Sequence, residues 1–363
     1  MKTKYLLVMG LPLALLAGCS QNGTTETTGT QTQPVAQSDA PAGSTAAEAE
    51  AKTGEESGAM NGMKARTDST KLAFSSEPSA LPIGKAATWT LNISDGKSGA
   101  PVNDFAVVHD KLMHLIVVKK DLSWFNHIHP EYKGNGSFVV QTTLPTASDY
   151  KLYADYTPKA GGNEVAQHDF SAGDVTTATP QLVPDKMQGP WMTKKVVAHP
   201  EGEPNAKGGA TYEVALMPMP MPLRAGQDTM LHFQVRDAKG QPVKDLQPYL
   251  GAMGHCVILS SDTTKYLHSH PMEGGMDEAG GMKHDMSKIG DMKNMKHSAP
   301  PKSGGPDVMF HTNFPTAGLY KAWGQFMHKG KIITAPFVVT VGAAKAGAAK
   351  PAATQDESKP HSH

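Results

Sequence analysis

Two histidine triplets in this chain share one spacing. His114, His127 and His129 recur as His255, His268 and His270 at a constant offset of 141 residues. Within each triplet the last two histidines are two residues apart, and residues so spaced on a strand share a face. If residues 260–264 turn between antiparallel strands, His255 falls opposite His270 and Val257 opposite His268. Cross-strand partners also share a face, so that register gathers all three imidazoles of a copy into one patch. A shift of one residue would send His255 to the other side. Neutral imidazole suits copper, zinc and nickel. The competing reading is structural: half-buried histidines bonded to backbone at the end of a β-sandwich.

Softer ligands gather in the second copy. Past Pro130 and its counterpart Pro271 the offset grows from 141 to 170, leaving a 29-residue insertion. In and beside it, within 272–305, stand Met272, Met276, Met282, His284, Met286, Met292, Met295 and His297. Thioether sulfur is soft and selects Cu(I). It also needs no deprotonation, so such sites tolerate acid. The usual role of methionine, filling core gaps, has no place here, because Ile289 is the one branched aliphatic between Met272 and Pro300. An amphipathic helix with Met282, Met286, Ile289 and Met292 or Met295 on one face, docked on a partner or on the domain, is the alternative. In Met217-Pro218-Met219-Pro220-Met221-Pro222 the prolines enforce an extended chain, so Met217, Met219 and Met221 project from a stiff edge. Met253, His311 and His328 are further candidate ligands; the first copy has Gln141 and Pro158 where the last two stand. The second copy is therefore the expected metal-binding half, and the first a spacer or weaker site.

The elements that must position these groups are strands. Short β-branched or alternating segments separated by turns such as Asp95-Gly96 and Gly134-Asn135-Gly136 argue for antiparallel sandwiches without helices. The expected organisation is a sandwich over 71–175, a Pro/Gly-rich linker over 176–207, and a second sandwich over 208–343 carrying the insert. A tail follows over 344–363. The fold class is all-β: two tandem Ig-like or cupredoxin-like sandwiches. Cys256 sits in an apolar run and reads as core rather than ligand. Lys plus Arg and Asp plus Glu balance at 34 each, and no basic stripe with interleaved aromatics occurs, which argues against nucleic acid. No nucleophile–base pairing or phosphate-cradling loop stands out, so binding is expected rather than catalysis.

Lys2 and Lys4 precede an apolar run, residues 5–16, too short to span a bilayer. Leu16-Ala17-Gly18-Cys19 resembles the lipobox of bacterial lipoproteins, which implies removal of 1–18, lipid on Cys19 and an extracytoplasmic, membrane-anchored protein. Residues 19–70 hold almost no large aliphatics and read as a disordered tether. The stretches 248–255, 266–271 and 314–320 (Pro-Tyr-Leu-Gly-Ala-Met-Gly-His, Tyr-Leu-His-Ser-His-Pro and Phe-Pro-Thr-Ala-Gly-Leu-Tyr) resemble exported bacterial proteins with YtkA-like domains. These are similar to CopC-type and cupredoxin-like sandwiches. The resemblance covers most of the second copy and, more loosely, the first. It implies an Ig-like sandwich and metal handling in the cell envelope. The soft methionines and imidazoles of the second copy make copper the expected metal, as Cu(I), Cu(II) or both, with a copper transporter or sensor as partner. A non-metal docking module of the envelope is the other class it leaves open. The first copy lacks the Tyr-Leu-Gly-Ala lead-in, and Cys19 stands where CopC-type sites tend to place an N-terminal histidine.

Overall fold

The structure, a computed structural model, describes residues 69–175, 181–271 and 302–344. The leader, Cys19, the tether, the insert residues Met272, Met276, Met282, His284, Met286, Met292, Met295 and His297, and the C-terminal tail from 345 lie outside the described residues. Both repeats belong to one unit of the chain, residues 55–363.

The described residues are all-β, as the spacing of turns and β-branched runs predicts. Repeat 1 is a sandwich of two four-stranded antiparallel sheets. One has the order β1 (Thr70–Glu77), β2 (Ala86–Asp95), β6 (Ser137–Thr143), β5 (Glu131–Gly134). The other has the order β4 (Phe125–Ile128), β3 (Met113–Lys119), β7 (Ser148–Tyr156), β8 (Glu164–Ala172). Repeat 2 answers it with β9 (Met192–Val197), β10 (Thr211–Met219), β11 (Asp228–Asp237), β14 (Asp307–Asn313). Its second sheet is β13 (Tyr266–Ser269), β12 (His255–Ser260), β15 (Gly318–His328), β16 (Lys331–Val341).

Two departures from a plain duplication matter. Residues 192–197, inside the stretch expected as linker, form β9 and extend the β10 sheet of repeat 2. Among the described residues repeat 2 shows no counterpart of β5: β14 pairs only with β11, apart from an isolated bridge from Phe310 to Pro271. Strand β10 is likewise not wholly an edge. It pairs with β11 throughout and with β9 up to Leu216, which leaves Met217–Met219 open on one side only.

Each sandwich encloses its own core. In repeat 1 Trp89, Leu91, Met113, Leu115, Val117 and Phe138 pack together. In repeat 2 Leu231, Phe233, Cys256, Ile258, Phe310 and Phe337 do so. Burial raises the Cys256 thiol well above its ordinary pKa, which keeps it a protonated core group, as expected from its apolar run.

A third core lies between the repeats. Strands β3 and β12 are buried on both faces, which explains why His114–Val118 and His255–Leu259 read as unbroken runs instead of alternating. Their second faces meet. Ile116, Val118, Phe125 and Tyr153 of repeat 1 pack on Val257, Leu259, Tyr266 and Trp323 of repeat 2. Phe125 stacks on Trp323 with centroids 4.7 Å apart, and Tyr153 on Tyr266 at 5.0 Å. Phe125 and Tyr266 occupy equivalent positions, as do Tyr153 and Trp323, so the two stacks are one contact made twice with the repeats exchanged. This is the self-complementary pattern of a two-fold dimer interface, here within one chain.

Candidate metal centre

The strand registers place the histidines as their spacing implies. Val257 pairs with His268 and Ile116 with His127. The two triplets do not form separate patches, however. Both project from the faces that meet between the repeats, so His114, His127, His129, His255, His268 and His270 make one cluster. Ring centroids of His127 and His268, from different repeats, are 5.6 Å apart, and those of His114 and His268 are 5.2 Å apart. The first copy thus supplies half the histidines of the cluster.

The hydrogen bonds at the rim determine which ring nitrogens carry protons. Carbonyl and carboxylate oxygens only accept, so a ring nitrogen facing one must be N–H. His114 Nε2 donates to Val108 O at 3.0 Å, and His255 Nε2 to Tyr249 O at 3.0 Å. His127 Nδ1 donates to Gln325 Oε1 at 2.7 Å, and His268 Nδ1 to Asp155 Oδ2 at 3.2 Å. His129 Nδ1 donates to Glu201 Oε1 at 2.6 Å. In the neutral rings of His114, His127, His129 and His255 the opposite nitrogen is then a bare lone pair, and these point inward. His114 Nδ1 lies 3.1 Å from His127 Nε2, which is 3.3 Å from His129 Nε2. His255 Nδ1 lies 3.2 Å from His268 Nε2. His270 Nε2 is buried without a partner.

Facing lone pairs at hydrogen-bond distance with no proton between them repel. A cation turns that repulsion into ligation. Two nitrogens bound tetrahedrally at about 2.0–2.1 Å from one ion lie roughly 3.3 Å apart, close to the separations seen here. Single ligand atoms of His114, His127 and His268 lie within 4.8 Å of one another, as do those of His255, His268 and His270. His268 belongs to both sets and joins the halves. Outward N–H groups held by carbonyls and carboxylates are the usual orienting partners of metal-bound histidine.

Burial keeps these rings neutral. It drives the His114 pKa down to about 3, helped by repulsion from His268 and His129. Burial first, then neighbouring imidazoles, takes His127, His255 and His270 well below the ordinary range, and His129 is lowered by burial as well. For Asp155 burial pushes upward, but the hydrogen bonds it accepts from His268 and Asn163 outweigh it, so the carboxyl is lowered.

Several participants carry no signal in the triplet pattern. Asp155 and Gln325 are equivalent positions at the offset of 170, and each serves a histidine of the opposite repeat. Residues of the expected linker cover one side: Glu201 holds His129, and Gly202 O accepts from Asn126 Nδ2 at 3.1 Å. His109, on a turn at φ 48°, stacks its ring 3.4 Å from that of His270. His109, His129 and His270 are half-buried and form the mouth, while His114, His127, His255 and His268 lie deeper.

Other expected ligands stand elsewhere. His328 bonds Tyr212 Oη at 2.7 Å and Asp245 Oδ1 at 3.0 Å. Met253 packs on the repeat 2 core. Met217, Met219 and His311 lie on the outer face of the β10–β11–β14 sheet, and Met221 is exposed beyond the end of β10.

The profile of a family described as "Domain of unknown function (DUF8832)" matches residues 65–174 and 206–343, one span per repeat. No curated protein sequence matches the chain. Among solved structures, an Escherichia coli alpha-2-macroglobulin activated by porcine elastase is similar at 11% identity and a TM-score of 0.23, over 76% of this chain and 31% of that one. A carbohydrate-binding module from the beta-sandwich superfamily is similar at 9% identity and a TM-score of 0.19, over 76% of this chain and 99% of that one. This chain thus spans less than a third of the first of these.

Proposed function

This chain belongs to the DUF8832 family, and we propose that it binds a transition metal, copper foremost, in the histidine cluster between its two repeats. The observation that carries the proposal is the convergence of bare imidazole nitrogens, each fixed by an N–H bond on its far side. A purely structural histidine network would place a proton between each facing pair. Imidazole alone suits copper, zinc and nickel. Copper is favoured by the 20 methionines of the chain and by the thioether-rich stretch 272–297, which follows directly in sequence on the segment bearing His268 and His270.

The role that follows is capture, buffering or transfer rather than catalysis. The half-buried mouth offers first contact, and the deeper rings offer the tighter hold. With lipid on Cys19, the protein would work on the outer side of a membrane, passing copper to a transporter or sensor. No helix among the described residues is long and apolar enough to cross a membrane. The test is metal content of the full chain purified from copper-supplemented cells, with Cu(II) and Zn(II) affinities measured against competing chelators. Copper at one or more ions per chain supports the reading. A chain that retains neither metal and binds neither in vitro refutes it.

A further inference from the structure

We propose that the outer face of β10, β11 and β14 in repeat 2 is a second metal site, built from Met217, His232 and Met309, for a soft monovalent cation, Cu(I) or Ag(I). It is separate from the histidine cluster and does not depend on it.

Strand register assembles the site. Met217 pairs with His232, and His232 with Met309, so the three stand side by side across three strands. The next row on the same face is Met219, Met230 and His311. Lateral neighbours have Cβ atoms about 4.5–5.5 Å apart, within reach of a thioether on either side of an imidazole. The intervening residues Leu216, Leu231, Phe233, Val308 and Phe310 face the core, so the six ligand-type residues face away from it. Four thioethers and two imidazoles on one small patch are a soft donor set.

His232 supplies the independent sign of a ligand. Its Nε2 donates to Asp307 Oδ1 at 2.7 Å, so in the neutral ring Nδ1 is the bare nitrogen. Nδ1 is buried and has no hydrogen-bond partner. A buried, unpartnered nitrogen oriented by a carboxylate on the far side of its ring is how a metal ligand is held, and it has no use on a merely apolar face. The Trp191 ring, centred 5.1 Å from the His232 ring, stands beside it.

The fold does not require these residues. The same six positions in repeat 1, identified by pairing, hold Ser75, Thr90 and Val139 in one row and Glu77, Thr88 and Gln141 in the next. A sandwich of the same design is built with no methionine or histidine at those six positions.

The test uses the full chain with methyl-labelled methionine and Ag(I), a redox-inert probe of Cu(I) sites. Ag(I) is expected to shift the Met217 and Met309 methyl resonances and to change Trp191 fluorescence. Met217→Leu with Met309→Leu keeps volume and apolarity but removes both sulfurs. That double variant should lose at least tenfold in affinity at this site, while Zn(II) binding by the interface histidines stays unchanged. His232→Gln should do the same, and the leucine pair decides the matter if His232→Gln fails to fold. Unmoved Met217 and Met309 methyls, or an unchanged affinity in the leucine pair, would overturn the proposal and leave the interface cluster untouched.

Discussion

Asp155 and Gln325 hold the same position in the two repeats, and each accepts a hydrogen bond from Nδ1 of a histidine in the opposite repeat. Asp155 takes it from His268 at 3.2 Å and Gln325 from His127 at 2.7 Å. Neither would touch metal, yet each determines which nitrogen of its partner is bare. Orienting residues of this kind typically change metal affinity by 10–100-fold. Asp155→Ala and Gln325→Ala should each weaken Cu(II) binding by about that factor in chelator competition. Parent-like affinity in both variants would mean that they position nothing.

Acid should destabilise the metal-free protein. The folded-state pKa of His114 is about 3, against 6.5 for an ordinary histidine, and His127, His129, His255 and His270 are lowered too. Between the folded and unfolded values the unfolded chain binds more protons, so stability rises with pH there and falls as pH drops. The loss begins below about 6.5 and amounts to roughly 1.4 kcal/mol per pH unit for each fully titrating histidine. Asp155, lowered in the fold, adds to it only nearer pH 4 and below. Urea midpoints measured from pH 7.5 to 4.5 should fall steadily; a flat profile would contradict neutral buried rings.

The stacked aromatics should matter to metal binding without touching metal. Trp323→Ala removes the ring stacked on Phe125 in the inter-repeat core. Truncating a buried aromatic costs about 3–5 kcal/mol. The variant is expected to unfold at lower urea and to lose metal affinity together with the inter-repeat contact. Full affinity with that contact broken would show that one repeat suffices.

How much was legible before the structure follows from the range of each contact. The triplet register depends on the two-residue period of a strand, so residues 114–129 and 255–270 were enough to read it. The apolar runs 114–118 and 255–259 do not say that one copy's second face covers the other's. Asp155, Gln325 and Glu201 reach the rings only through that docking. The carbonyls of Val108 and Tyr249 act through backbone, which no residue type announces. Met230, His232 and Met309 join Met217 only through pairing across β11 and β14. The gapless offset of 141 misleads there, because pairing matches Met217 to Ser75, one residue off.

In the proposed function, lipid on Cys19 attaches the protein to a membrane. Cys19→Ala should move the protein from the membrane fraction to the soluble one, and mass spectrometry of the parent should find a lipidated N-terminal cysteine. A parent chain recovered without lipid and already soluble would remove the anchor from the account.

The central claim, one metal centre shared by two repeats, is tested most directly by Zn(II) or Cu(II) stoichiometry and affinity in His127→Ala and His268→Ala. A shared centre predicts that either substitution, though in different repeats, weakens binding of the same ion or ions. It also predicts that X-ray absorption of the parent shows nitrogen ligation by imidazole. If each substitution instead removes one ion and leaves another bound as tightly as before, the repeats bind independently and the shared centre is wrong.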